Sequence, residues 1–159
     1  MPSSDTPHDI SQITDYLYIS SWPEGEHFDE IVSSGIRLIL SMHWWKPSSD
    51  LDRPPLRLLW LPTVDFPLTP MPLNTLRTGV EAAQPVIANG GGVLTHCRAG
   101  VHRGVAMGAC VLIGMGYRAD EAMQLIKEKR PAADPDIWYI RNRIHKFETY
   151  WKEIRSQTA

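Results

Sequence analysis

Between Gly90 and Met115 the chain passes from a glycine triplet through a short apolar stretch, Val93 to His96, and a polar loop into the almost wholly apolar run Val105 to Met115. The first apolar stretch reads as a buried strand and the second as a central, buried helix. A strand and a helix that are apolar on every side, joined by so few residues, need further layers to cover them, as in an α/β domain. The rest of the sequence agrees with that demand. Ile13 to Ser20 carries β-formers in near alternation and reads as a strand; Ile36 to Met42 reads as a second, and Leu56 to Val64 as a third, with Pro62 weighing against its last residues. Helical spacing appears over Glu26 to Ser34 and over Leu73 to Ile87, the latter bent or interrupted near Pro85. It recurs from a cap at Asp120 to about Arg130, and from Pro135 or Asp136 onward along a stripe of Ile137, Ile140, Ile144, Phe147, Trp151 and Ile154.

Strands interleaved with helices predict a single α/β domain with a central, mostly parallel sheet flanked by helices. It is expected to span 10–155, between tails 1–9 and 156–159. Ligands of such folds sit beyond the carboxyl ends of the strands, so the loops opening at His43, Asp65 and Cys97 should share one side of the sheet. With 16 basic against 18 acidic side chains the chain has no basic surplus, and no nucleic-acid partner is expected. No apolar run approaches the roughly 20 residues of a membrane span and none marks a secretory leader, which predicts a soluble, cytoplasmic protein without membrane association. Cys97 and Cys110 are too few for a disulfide framework and read as free thiols; Cys110, on the apolar helix, reads as a small buried hydrophobe.

The chemistry concentrates in the strand, loop and helix start from Val93 to Arg103. Backbone N–H groups of Arg98, Ala99, Gly100, Val101, His102 and Arg103 would converge on an anion at a helix N-terminus, where the helix dipole adds attraction. Gly100 supplies a backbone conformation or close approach that a side chain would hinder. The same field favours the thiolate of Cys97, a nucleophile. The planar fork of Arg103 suits two oxygens of a phosphoryl group in a way that lysine does not.

The pattern His-Cys-x-x-Gly-x-x-Arg, with Ala-Gly-Val inside the loop, resembles the cysteine-dependent protein tyrosine phosphatases, above all the dual-specificity group. From this chain's own residue frequencies a chance match has odds of roughly a few in ten thousand. Weaker matches extend from about residue 10 to 152 through LYIS, GIRLIL, VDFPLTP, KEKRP and Phe147-Glu148. The resemblance implies metal- and cofactor-free hydrolysis of phosphotyrosine, and of phosphoserine or phosphothreonine, on a phosphorylated protein or a small phosphoester. Cys97 would attack phosphorus, Arg103 and the loop would hold the phosphate, and an aspartic acid would protonate the leaving oxygen and then activate water. Asp65, in VDFPLTP and 32 residues before Cys97, takes that part ahead of Asp50 and Asp52. His96 would shape the loop and help hold the thiolate, and Asn142 falls near a position where family members often carry a water-orienting amide.

Two residues depart from the pattern. Gly104 stands where the family carries Ser or Thr, whose hydroxyl stabilises the departing thiolate; its loss is worth about 1.5 to 3 kcal/mol, or roughly ten- to a hundred-fold in phosphocysteine hydrolysis. Gly104→Ser is therefore expected to speed that step. His102 occupies a loop position where smaller residues are common and is expected to face solvent. Trp44, Trp45 and Lys46 either line the pocket or pack structurally, Trp138 and Trp151 read as packing groups, and Arg130 reads as a structural ion pair or helix-end contact. A phosphate-binding pseudophosphatase with slow or no turnover, a phosphatase of phosphoinositides or RNA 5′-phosphates, and a rhodanese-like sulfurtransferase stay open as alternatives.

Overall fold

The computed structural model describes residues 8–158, so most of the expected tail 1–9 lies outside the described residues. Five strands form one sheet: β1 (Ile10–Gln12), β2 (Leu17–Ser20), β3 (Ile36–Ser41), β4 (Arg57–Trp60) and β5 (Gly92–His96). Their order is β1-β2-β5-β3-β4, with β1 antiparallel to β2 and all other pairs parallel. The helices are α1 (Phe28–Ser33), α2 (Leu73–Ala88), α3 (Arg103–Gly114), α4 (Ala119–Lys129) and α5 (Trp138–Thr158). One apolar cluster joins α2 to α5 against one face of the sheet, and a smaller one, built on Phe28, Ile31, Ile39 and Leu94, covers the other face beneath α1. Every residue of α3 is buried, as its apolar sequence requires.

The mostly parallel sheet agrees with the expectation, and the differences are local. The stretch read as one strand from Ile13 to Ser20 is broken by a turn, because the Thr14 hydroxyl accepts from the backbone N–H groups of Tyr16 and Leu17. Strand β1 therefore arises as a separate edge strand upstream of the turn. Strand β4 stops at Trp60, short of Pro62. Pro85 is accommodated inside a continuous α2. Asp120 lies in the first turn of α4 rather than capping it; Arg118 holds the cap position, where the Glu121 carboxylate accepts from its backbone N–H. Helix α5 continues through residues 156–158, which were set apart as a tail. No described helix is long and apolar enough to cross a membrane.

Candidate active site

The parallel pairing of β2, β3, β4 and β5 opens their C-terminal loops on one side, as expected. The loop from Cys97 to His102 joins β5 to α3, and its backbone is turned in one sense. All six of its carbonyls are occupied from outside. That of Cys97 accepts from His96 Nδ1 (2.9 Å), that of Arg98 from the Trp22 N–H (2.9 Å), and that of Ala99 from Arg130 Nη2 (3.1 Å). That of Gly100 accepts from Arg130 Nε (2.9 Å), that of Val101 from the Asp134 N–H (3.0 Å), and that of His102 from the Ala106 N–H (2.9 Å). Among the described residues, none of the backbone N–H groups from Arg98 to Val105 donates to a protein acceptor. A run of amides left free at the start of a buried helix is an anion cradle. Gly100, at φ +67°, makes the turn, and a Cβ there would lie 2.6 Å from both the Ser20 carbonyl oxygen and Arg130 Nη2.

Cys97 lies at the mouth of β5, 4% exposed. His96 before it is fully buried, and burial first, then the neighbouring His8, His43 and Arg103, lowers its imidazole to about 4, so it is neutral near pH 7. Because Nδ1 faces the Cys97 carbonyl, it carries the hydrogen, and buried Nε2 is left as an acceptor without a partner. The ring therefore fixes the Cys97 peptide. Arg103 is buried at the first position of α3. Its Nη1 donates to the carbonyls of Thr63 (2.8 Å) and Met42 (3.4 Å), which anchors the fork to the loops after β4 and β3, while its buried Nε has no partner. A buried guanidinium donor left unsatisfied is a position waiting for an anion.

Asp65 is brought to the same mouth. Its Oδ1 accepts from the Tyr139 hydroxyl (2.6 Å) and its Oδ2 faces His102 Nδ1 (2.9 Å). Burial alone would raise this carboxyl, but the donors Tyr139 and His102, with the charges of His102 and Arg103, outweigh it and hold Asp65 below its usual range. Partial burial and the neighbouring carboxylate push the Tyr139 hydroxyl up to about 12, so it remains a donor throughout the working range. His102 does not face solvent: its ring is turned inward between Asp65 and Asp134 because two carboxylates meet there. Asn142 is exposed on α5, off the face on which Tyr139, Ile140 and Arg143 turn toward Asp65. Asp52 accepts from the Leu58 N–H at the opposite end of β4, and Asp50 lies beside Gly25, so neither reaches the mouth.

Arg130 is the structural ion pair read from sequence, and more: 3% exposed, it holds Asp9 through two bonds (3.0 and 2.7 Å) as well as two cradle carbonyls. Burial pushes the Cys110 thiol well up, which makes it inert as a nucleophile. A pocket beside Arg98 is lined by Ser21, Trp22, Glu24, His43 and Trp45. Trp45 thus lines a pocket next to the cradle, while Trp44 and Trp138 stand exposed and Trp151 is buried. Sequence reading missed Tyr139, Trp22, His43 and Thr63. Only His43, opening a post-strand loop, carried a local signal. Among the described residues no cluster of three or more His, Cys, Asp or Glu could hold a metal ion.

Gly104 has a second reason to lack a side chain. A Cβ there would lie 3.0 Å from Cα and C of His96 and 3.1 Å from the Cys97 nitrogen. The Thr95 hydroxyl, the nearest in the strand, donates instead to the Gly104 carbonyl (2.7 Å). Gly104→Ser must therefore push the strand end outward before its hydroxyl can act. In urea unfolding it is expected to lose about 1 to 3 kcal/mol through overpacking, and an unchanged midpoint would show that α3 has room to spare.

No protein-family model matches the chain. The chain is 28% identical over 153 residues to tyrosine-protein phosphatase yvh1 of Schizosaccharomyces pombe, a match covering 96% of this chain and 46% of that protein. It is 25% identical over 138 residues to dual specificity phosphatase 28 of Mus musculus, covering 86% of this chain and 83% of that one. The chain thus spans less than half the length of the first of these relatives. The crystal structure of a mouse putative dual specificity phosphatase complexed with zinc tungstate superposes with a TM-score of 0.81 at 23% identity, over 98% of this chain and 96% of that one, which shows the shared fold. Relatives of one kind along nearly the whole chain, a shared fold, and a His-Cys-Arg loop whose amides are left free among the described residues make this chain similar to the tyrosine-protein and dual-specificity phosphatases.

Proposed function

We propose that the protein hydrolyses phosphoesters, taking phosphate from phosphotyrosine and from phosphoserine or phosphothreonine through a phosphocysteine intermediate. The observation that carries this reading is the cradle: six consecutive carbonyls held outward, a run of free amides, and an unpartnered buried Arg103 Nε around one cysteine. Three equatorial phosphoryl oxygens are met there by fixed donors that need no reorganisation as charge spreads in transfer. Cys97 attacks phosphorus from the floor, the leaving oxygen takes a proton from the side of Asp65, and water then displaces the thiolate with Asp65 as base. The aromatic pocket at Trp22 and Trp45 supports an aryl phosphate beside the cradle.

Gly104 favours one second reading, a phosphate-binding protein that turns over slowly or not at all, because no hydroxyl is bonded to Cys97 among the described residues. Rapid mixing with a chromogenic aryl phosphate, counting product per enzyme before steady state with Cys97→Ser in parallel, separates the two. The expected result is a Cys97-dependent burst of about one product per enzyme followed by slower turnover. Steady release without a burst would mean that something replaces the missing hydroxyl. No release would favour the binding reading.

A further inference from the structure

Both oxygens of Asp65 are engaged, Oδ1 by Tyr139 and Oδ2 by His102, so a hydrogen-bonding group already faces each of them. His102 is the last residue of the cradle loop, at the cap of α3. Its Nδ1 lies 2.9 Å from Asp65 in the loop after β4, and its Nε2 lies 3.7 Å from Asp134, whose backbone N–H is tied to the cradle carbonyl of Val101. Tyr139 of α5 packs edge-on against the ring at 5.8 Å, and Arg103 follows next in sequence. Two carboxylates thus face the two ring nitrogens, and since a carboxylate has only acceptors to offer, a hydrogen on either nitrogen points toward one.

We propose that His102 is a positioning residue that stores the proton Asp65 delivers, so that the acid of this site is an Asp65–His102 pair. The inference rests on the hydrolase reading above. When the phosphoester dianion enters, its charge disfavours the Asp65 carboxylate, and the Nδ1 proton crosses to Oδ2, leaving a neutral ring and a neutral acid. The S–P bond forms as the P–O bond breaks, and the proton passes from Oδ2 to the departing oxygen, leaving an alcohol or phenol, the phosphocysteine, the Asp65 carboxylate and neutral His102. In the second step water bonds to phosphorus as the S–P bond breaks. The water proton goes to Asp65 and back to Nδ1, which restores the thiolate, the carboxylate and the imidazolium with phosphate released. The depressed carboxyl of Asp65 fits this division, because the neighbouring Tyr139 and His102 favour its carboxylate form at rest.

The test compares kcat/KM on phosphotyrosine, which needs its leaving oxygen protonated, with that on a nitrophenyl phosphate, which needs it less, across pH. His102→Asn keeps a donor toward Asp65 but cannot store a proton. It is expected to lose about tenfold or more on phosphotyrosine and less than about threefold on the nitrophenyl ester. Its high-pH limb on phosphotyrosine should move to lower pH, because Asp65 must then be protonated from solvent. Asp134→Asn, which removes the second carboxylate without touching the cradle backbone, should shift the same limb in the same direction with the nitrophenyl rate unchanged. Equal losses on both esters in His102→Asn would assign the residue to loop shape alone. An unshifted limb in Asp134→Asn, or no loss in His102→Asn, would mean that Asp65 acts unaided; each of these overturns the proposal. Should His102→Asn fail to fold, the Asp134→Asn limb decides. Failure of the hydrolase reading is distinct, since it appears in wild-type protein as the absence of any Cys97-dependent burst.

Discussion

Arg103→Lys loses about 10³-fold or more in kcat/KM for any phosphoester, roughly 4 kcal/mol of transition-state stabilisation, while leaving the fold close to its original stability. The guanidinium does two things at once. Nη1 is bound to the carbonyls of Thr63 and Met42, which fixes the plane of the fork against two neighbouring loops, and Nε is held buried and free. An ammonium group can replace the first contact or approach a phosphoryl oxygen, but a single nitrogen cannot do both in fixed geometry. Steady-state kinetics together with thermal unfolding checks this. A loss below tenfold would mean that the amides of the cradle carry the charge without the fork, and a collapse in stability would make Arg103 chiefly a bracket between loops.

Asp65→Asn is expected to lose about 10²- to 10³-fold on phosphotyrosine and far less on a nitrophenyl ester, because proton donation matters in proportion to the basicity of the leaving oxygen. The amide can still accept from Tyr139, so the loop after β4 stays in place and the comparison reads chemistry rather than folding. Asp50→Asn and Asp52→Asn serve as controls and should leave both rates unchanged. Asp52 in particular holds the start of β4, at the far end of the strand from the cradle. A uniform loss on both esters in Asp65→Asn would shift its part from proton donor to loop support.

The cradle was legible because its information is local: a strand, a glycine at the one positive-φ position and an arginine at the helix start lie within a dozen residues. Asp65 was legible for a related reason, since it follows a strand whose parallel neighbours fix where its loop opens. What surrounds Asp65 was not. Tyr139 reaches it across 74 positions of sequence, and only the approach of α5 to the sheet end decides which face of that helix meets Asp65. The same helical phase leaves Asn142 outside. His102 looked solvent-bound because its two partners, Asp65 and Asp134, come from separate segments that no spacing rule connects. The split of the first strand had a sequence signal, a threonine before a β-rich run, but Thr14 competes with the ladder only because β1 and β2 fold back on each other.

The clamp formed by Arg130 ties two scales of motion together. Strand β1 is three residues long and lies at the sheet edge, where local unfolding costs least. Through Asp9 and the Ser11 hydroxyl that edge holds the same guanidinium that orients the carbonyls of Ala99 and Gly100. Peeling of the edge would strand a buried charge and release the cradle backbone to rotate, so strand and loop should open as one cooperative unit, and amide hydrogen exchange in the cradle loop is expected to track the fraying of a segment on the other side of the guanidinium.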